Sequence, residues 1–136
     1  MPRVLIADDE EAMRMLVARA IAMDGHEVAV AQDGAEALEM LNREGGAYDL
    51  LLTDIKMPVM DGIALALAAA RDYPNLTILL MTGFADQRER AHGLDAIIHD
   101  VITKPFSVAG IRAAVSAALG ARKDGLAQAA TNTGAA

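Results

Sequence analysis

At 136 residues, 54% of them hydrophobic and 23% charged, the chain is long enough for one domain with a real core, and its composition excludes an intrinsically disordered protein. A net charge of −7 disfavours binding to a nucleic-acid backbone, and the lack of cysteine removes disulfides and thiol catalysis. No apolar stretch reaches the length of a membrane span, and Met1-Pro2-Arg3 lacks a signal-peptide pattern, so a cytoplasmic protein that binds other proteins is expected.

Val4–Ala7 is an apolar run ending at Asp8-Asp9, which predicts a first strand. Met13, Leu16, Val17, Ala20 and Ile21 then recur at helical spacing, with Gly25 as the stop. Val28–Val30 is a short second strand. Asp33-Gly34-Ala35-Glu36 resembles a capping box, opening a helix through Leu38 and Leu41 that ends at Gly45-Gly46. Leu50–Leu52 form a third strand, which runs into Thr53-Asp54.

Met57-Pro58 and Asp61-Gly62 mark a loop, and Asp61 caps an Ala-rich helix through Ala70. Ile78–Met81 is a fourth strand ending at Thr82-Gly83, followed by a polar helix around Asp86–His92 with a break at Gly93. Val101–Thr103 is a fifth strand, ending at Lys104-Pro105. Val108, Ile111, Val115 and Leu119 give a last amphipathic helix, capped by Ser107 and stopped near Gly120. Residues 122–136 are small, polar and Ala-rich without an apolar period, and are read as a disordered tail after a domain spanning 1–121. Five β-α repeats imply a parallel sheet with helices on both faces.

An open α/β sheet builds its site beyond the carboxyl ends of its strands. If the runs ending in Asp8-Asp9, Asp54 and Lys104 are neighbours, three carboxylates and one ammonium share a small volume. Like charges at such distances repel by about 4 kcal/mol per pair at a near-surface dielectric, so the cluster needs a cation. A hard divalent ion such as Mg²⁺ favours one or two carboxylates, waters and a phosphate oxygen. Lys104 and the Thr82 hydroxyl would then contact further phosphoryl oxygens, and a carboxylate is itself a competent nucleophile.

Four segments carry a resemblance. They are Val4-Leu5-Ile6-Ala7-Asp8-Asp9-Glu10, Leu52-Thr53-Asp54-Ile55-Lys56-Met57-Pro58-Val59-Met60-Asp61-Gly62, Met81-Thr82-Gly83 and Thr103-Lys104-Pro105-Phe106. With their order and spacing, the chain resembles the receiver domain of bacterial two-component response regulators, the family that includes the chemotaxis protein CheY. The resemblance implies a flavodoxin-like, doubly wound five-stranded parallel sheet, (βα)5, with Asp54 as the phosphoacceptor. It implies Mg²⁺, with Mn²⁺ as a substitute, held by Asp9, Asp54 and the backbone carbonyl of Lys56, with Asp8 acting mainly through water. Thr82 and Lys104 become the switch hydroxyl and the phosphate-facing lysine, and Lys104-Pro105 the family's cis peptide.

The implied partners are a histidine kinase or phosphotransfer protein as donor and a downstream protein target, without direct nucleic-acid contact or membrane insertion. No enzymatic turnover is implied beyond self-phosphorylation and slow dephosphorylation. The remaining length after residue 121 leaves no room for an output domain, which points to a stand-alone regulator. A phosphate sink or a phosphorylation-independent adaptor is the alternative.

One departure stands out: Val101 sits where the family usually has an aromatic switch residue, so signalling is expected to rely on Thr82, the following loop and Phe84. A phosphatase using the same strand-end Asp would carry a second acid two residues later, where this chain has Lys56. A nucleotide or flavin binder would need an anion cradle where Asp8-Asp9-Glu10-Glu11 stands. Asp61 is read as a cap, not a metal ligand. His26, His92 and His99 are read as surface residues, Met13 as core, and Met15 as an exposed side chain off the apolar stripe. Ile97, Ile98 and Val101 are weighed as an apolar output surface against a core role.

Overall fold

The structure is a computed structural model describing residues 1–83 and 85–134, with side chains described except at 85–87, 92 and 122–134. Strands and helices alternate as β1 (Arg3–Ala7), α1 (Glu11–Ala22), β2 (Glu27–Ala31), α2 (Gly34–Arg43), β3 (Leu50–Asp54), α3 (Gly62–Asp72), β4 (Thr77–Thr82), α4 (Ala85–His92), β5 (Asp100–Thr103) and α5 (Val108–Gly134). The strands form one parallel sheet in the order β2-β1-β3-β4-β5, the flavodoxin-like arrangement that the resemblance implies.

Alternation along the strands divides the core into two layers, because successive side chains of a strand face opposite ways. Val4, Ile6, Leu50, Leu52, Leu79 and Met81 pack with Val17, Ala20 and Ile21 of α1 and Ile111, Val115 and Ala118 of α5. Leu5, Ala7, Leu51, Ile78 and Leu80 turn to the other face, against Ala37 and Leu41 of α2, Leu65, Ala66 and Ala69 of α3, and Ala91 of α4. The central β3 is buried along its whole length, which is why its sequence reads as an unbroken apolar run. Each fully buried Leu or Ile contributes about 1.5–3 kcal/mol, so these two layers are the main source of stability.

Three caps read from the sequence are in place. The backbone N–H of Glu36 donates to Asp33 Oδ1 at 2.8 Å, that of Ala64 to Asp61 Oδ1 at 2.9 Å, and that of Gly110 to Ser107 Oγ at 2.9 Å. Turns follow α1 at Gly25 and α2 at Gly45-Gly46, where the stops were expected.

Two expectations change. Leu16, assigned to the buried stripe of α1, is 45% exposed, whereas Met13 and Val17 face the core. The helix presents a narrow stripe to the sheet because α5 already covers that layer. The last helix runs to Gly134, past the stop expected near Gly120. Alanine is the best helix former, and an interior glycine costs only about 1 kcal/mol, so the Ala-rich segment continues the backbone pattern.

Candidate functional site

Strand register brings the polar residues together. Ala7 of β1 pairs with Thr53 of β3, Asp54 with Met81 of β4, and Thr82 with Thr103 of β5. Asp8, Asp54, Thr82 and Lys104 therefore lie side by side at the carboxyl edge of four adjacent strands. β1 leads through α1 outward to β2 on one side, while β3 continues the sheet on the other. This is the switch point at which open α/β sheets place their sites.

Asp8, Asp9 and Asp54 each offer a carboxylate oxygen within 4.8 Å of the others. Asp8 is fully buried and Asp54 nearly so at 8% exposure, while Asp9 faces solvent. Lys104 Nζ stands 3.4 Å from Asp8 Oδ2 and 3.4 Å from Asp54 Oδ2, bridging the two buried acids. Their second oxygens are held locally, Asp8 Oδ1 by the Glu10 N–H and Asp54 Oδ1 by the Ile55 N–H, each at 2.9 Å. An open cleft of about 550 Å³ over this edge is lined by Asp9, Glu10, Asp54, Lys56, Gly83 and Lys104.

Burial holds the Asp54 carboxyl above the usual carboxylate range, and repulsion from Asp8 pushes the same way, while Lys104 draws it back. One ammonium against three carboxylates leaves the cluster short of positive charge. Hard oxygen donors in an open cleft fit a small divalent cation.

The loop after β3 is packed with little tolerance. The Gly62 N–H donates to the Ile55 carbonyl at 2.8 Å, and a Cβ on Gly62 would lie 2.0 Å from the Asp54 carbonyl oxygen. Only glycine allows α3 to start this close behind Asp54. Val59, at the tip of the same loop, has a φ of +68° and is 85% exposed, an uncommon conformation for a β-branched residue.

Asp8, Asp9, Asp54, Thr82 and Lys104, all read from the sequence, meet at this edge, and Lys56 lines its cleft. Thr82 is fully buried, and its carbonyl accepts the Lys104 N–H at 2.7 Å. The Lys104-Pro105 bond is cis. Asp61 caps α3 and also receives Arg90 at 3.2 Å, in keeping with the capping role. Ile98 is buried, and Ile97 and Val101 pack partly buried against the core, so the three do not form an open apolar surface. Met15 is 46% exposed, as expected. His99 is exposed, but His26 is half-buried with an Nδ1 that finds no hydrogen-bond partner among the described residues. Phe84 and the His92 side chain lie outside the described residues.

Sequence reasoning missed Arg14. Its Nη1 donates to the Asp8 carbonyl at 2.9 Å, a contact that only its place one turn into α1 hints at.

The sheet order and strand-end site define a CheY-like α/β protein. The model of the response regulator receiver domain matches residues 4–116, and the chain belongs to that family. Among curated proteins it is 36% identical over 117 residues to the response regulator MprA of Mycobacterium leprae, an alignment covering 86% of this chain and 50% of that protein. The chain thus spans about half the length of the curated relatives it matches. Among solved structures, a CheY-like receiver domain protein from Methanospirillum hungatei superposes with a TM-score of 0.83 at 27% identity, covering 91% of this chain and 98% of that one. The response regulator TrrA of Thermotoga maritima, solved in complex with Mg²⁺ and BeF, superposes with a TM-score of 0.76 at 28% identity, covering 85% and 97%.

Proposed function

We propose that this receiver domain accepts a phosphoryl group on Asp54 from a histidine kinase or phosphotransfer protein and signals through changed affinity for a protein target. One observation carries the reading: Asp54, nearly buried, shares the Lys104 ammonium with Asp8 in a cluster with more negative than positive charge. A carboxylate oxygen of Asp54 attacks phosphorus and the bond to the donor's imidazole nitrogen breaks. The electron pair leaves on the imidazole, and the product is an aspartyl phosphate.

Asp8, Asp9, Asp54 and the backbone carbonyl of Lys56 would hold Mg²⁺, or Mn²⁺ in its place. When bound, the ion supplies charge neutralisation between the carboxylates and the phosphoryl oxygens. Lys104 holds Asp54 in its charged, nucleophilic form and then neutralises a phosphoryl oxygen. Thr82, at the end of the neighbouring strand, supplies a hydroxyl donor. The acyl phosphate biases an existing equilibrium between two arrangements of the β4–α4–β5 side, by no more than its differential stabilisation of them.

In this reading the domain turns over no substrate beyond its own phosphorylation and slow dephosphorylation. Among the described residues no helix is long and apolar enough to cross a membrane, which accords with the proposed action in the cytoplasm. Incubation with acetyl phosphate and Mg²⁺ tests the proposal: mass spectrometry should show one added phosphoryl group on wild type and none on Asp54→Ala. Equal labelling of the two proteins would end it.

A further inference from the structure

The loop between β1 and α1 carries Asp8, Asp9, Glu10 and Glu11 in succession, and such a run of like charges resists a compact conformation. Asp8 is tied down at every polar group. Its N–H donates to the Ala31 carbonyl at 3.1 Å, its Oδ1 accepts the Glu10 N–H at 2.9 Å, and its Oδ2 faces Lys104 at 3.4 Å. Its carbonyl accepts Arg14 Nη1 at 2.9 Å. Asp9 differs: its exposed carboxylate makes no hydrogen bond or ion pair among the described residues, so nothing holds it directly. The peptide unit is planar, so the Asp8 carbonyl and the Asp9 N–H and Cα move as one plate. The group that grips that carbonyl sets where the Asp9 side chain leaves the backbone.

Arg14 is that group. It is half-buried, stands one turn into α1, and makes no ion pair among the described residues although four acids precede it nearby in sequence. Its guanidinium instead donates to a neutral carbonyl. We propose that Arg14 is a positioning residue for phosphoryl acceptance, holding the Asp8–Asp9 peptide plane so that the Asp9 carboxylate converges on Asp54. This inference rests on the function proposed above.

Positioning and charge predict opposite results. Loss of a nearby positive charge alone would tighten Mg²⁺ binding, whereas loss of the held plane weakens it. Arg14→Met keeps the length of the stem and removes the donor and the charge. Arg14→Lys keeps one donor and the charge, which suffices where the contact is a single hydrogen bond, not a bidentate fork.

By calorimetry, Arg14→Met should bind Mg²⁺ about tenfold more weakly, as loss of partners behind metal ligands commonly does. Arg14→Lys should stay within about threefold of wild type. The Mg²⁺ concentration that half-saturates labelling by acetyl phosphate should rise for Arg14→Met, with the rate at saturating Mg²⁺ little changed. Amide exchange in EDTA gives a readout without metal: the Glu10 N–H should exchange faster in Arg14→Met than in Arg14→Lys, with core amides unaltered.

Unchanged or tighter Mg²⁺ binding by Arg14→Met overturns the inference. So does equal weakening in both variants with a matching fall in global stability, since that is a general structural role. A wild type that neither binds Mg²⁺ nor accepts phosphate sinks the proposed function instead, and the Glu10 exchange still decides whether Arg14 holds the loop.

Discussion

Replacing Asp54 by Asn should make the metal-free protein more stable. Asp54 lies within 4.8 Å of carboxylate oxygens on Asp8 and Asp9, and 3.4 Å from Lys104 Nζ. At an effective dielectric near 20, each repulsion is worth at least about 3.5 kcal/mol and the attraction about 5 kcal/mol, so the two repulsions exceed the attraction by roughly 2 kcal/mol. Solvent screening at exposed Asp9 trims this, and relief of the burial cost of the Asp54 charge adds to it. Asn keeps an oxygen for the Ile55 N–H. A gain of about 1–2 kcal/mol is expected, which moves the urea midpoint up by roughly 0.5–1 M for a slope near 2 kcal/mol per M.

The pH dependence follows from the raised pKa of Asp54, caused first by burial and then by Asp8. Below the carboxylate range the group is protonated in both states and the variant has no advantage. As pH rises, the unfolded chain ionises first, so wild-type stability falls until the folded carboxyl also ionises. The gap between the proteins is therefore full at neutral pH and closes on acidification. If the proposed site takes Mg²⁺, saturation at a hundredfold excess over its dissociation constant should stabilise wild type by about 2.7 kcal/mol, and the variant, short of a proposed ligand, by less. Urea titrations in EDTA and in Mg²⁺ check both arms. A variant no more stable than wild type in EDTA would rule out net repulsion at Asp54, and an equal gain from Mg²⁺ in both would rule out Asp54 as a ligand.

Other perturbations follow from the same geometry. Gly62→Ala drives a methyl group to within 2.0 Å of the Asp54 carbonyl oxygen, so it should cost at least about 2 kcal/mol in urea unfolding and slow labelling by acetyl phosphate. Val59→Gly removes a β-branched side chain from a φ of +68° and should stabilise by about 1 kcal/mol, because the left-handed region penalises every residue with a Cβ. Tyr48, buried beside Glu44, has its phenol pushed up to about 12. Alkaline titration followed by phenolate absorbance should show one tyrosine ionising late, and the stability held by the neutral phenol should be full below the ordinary tyrosine value of about 10 and be lost as pH rises from there through about 12.

The elements and caps were legible because their signals are local. The β3 run is apolar throughout since both of its faces are covered, and Asp33, Asp61 and Ser107 precede helices whose first N–H groups need acceptors. The acids at strand ends were legible too, because their chemistry makes sense only together. Leu16 misled because helical spacing shows which residues share a stripe but not how wide a stripe the sheet covers. Arg14 was invisible because its partner is a backbone carbonyl, which every residue has.

By itself, the amino-acid order determined the alternation of strands and helices, the residues proposed for phosphoryl chemistry and the excess of negative charge among them. These depend on hydrophobic period, capping chemistry and charge, which the residues carry with them. Tertiary structure alone decided that Lys104 bridges Asp8 and Asp54, that Gly62 lies against the Asp54 backbone, and that Arg14 grips the Asp8–Asp9 plane. Those contacts depend on distances of a few ångströms between strand ends and loops remote in sequence. Such distances exist only once the two apolar layers have packed and set the register of the sheet.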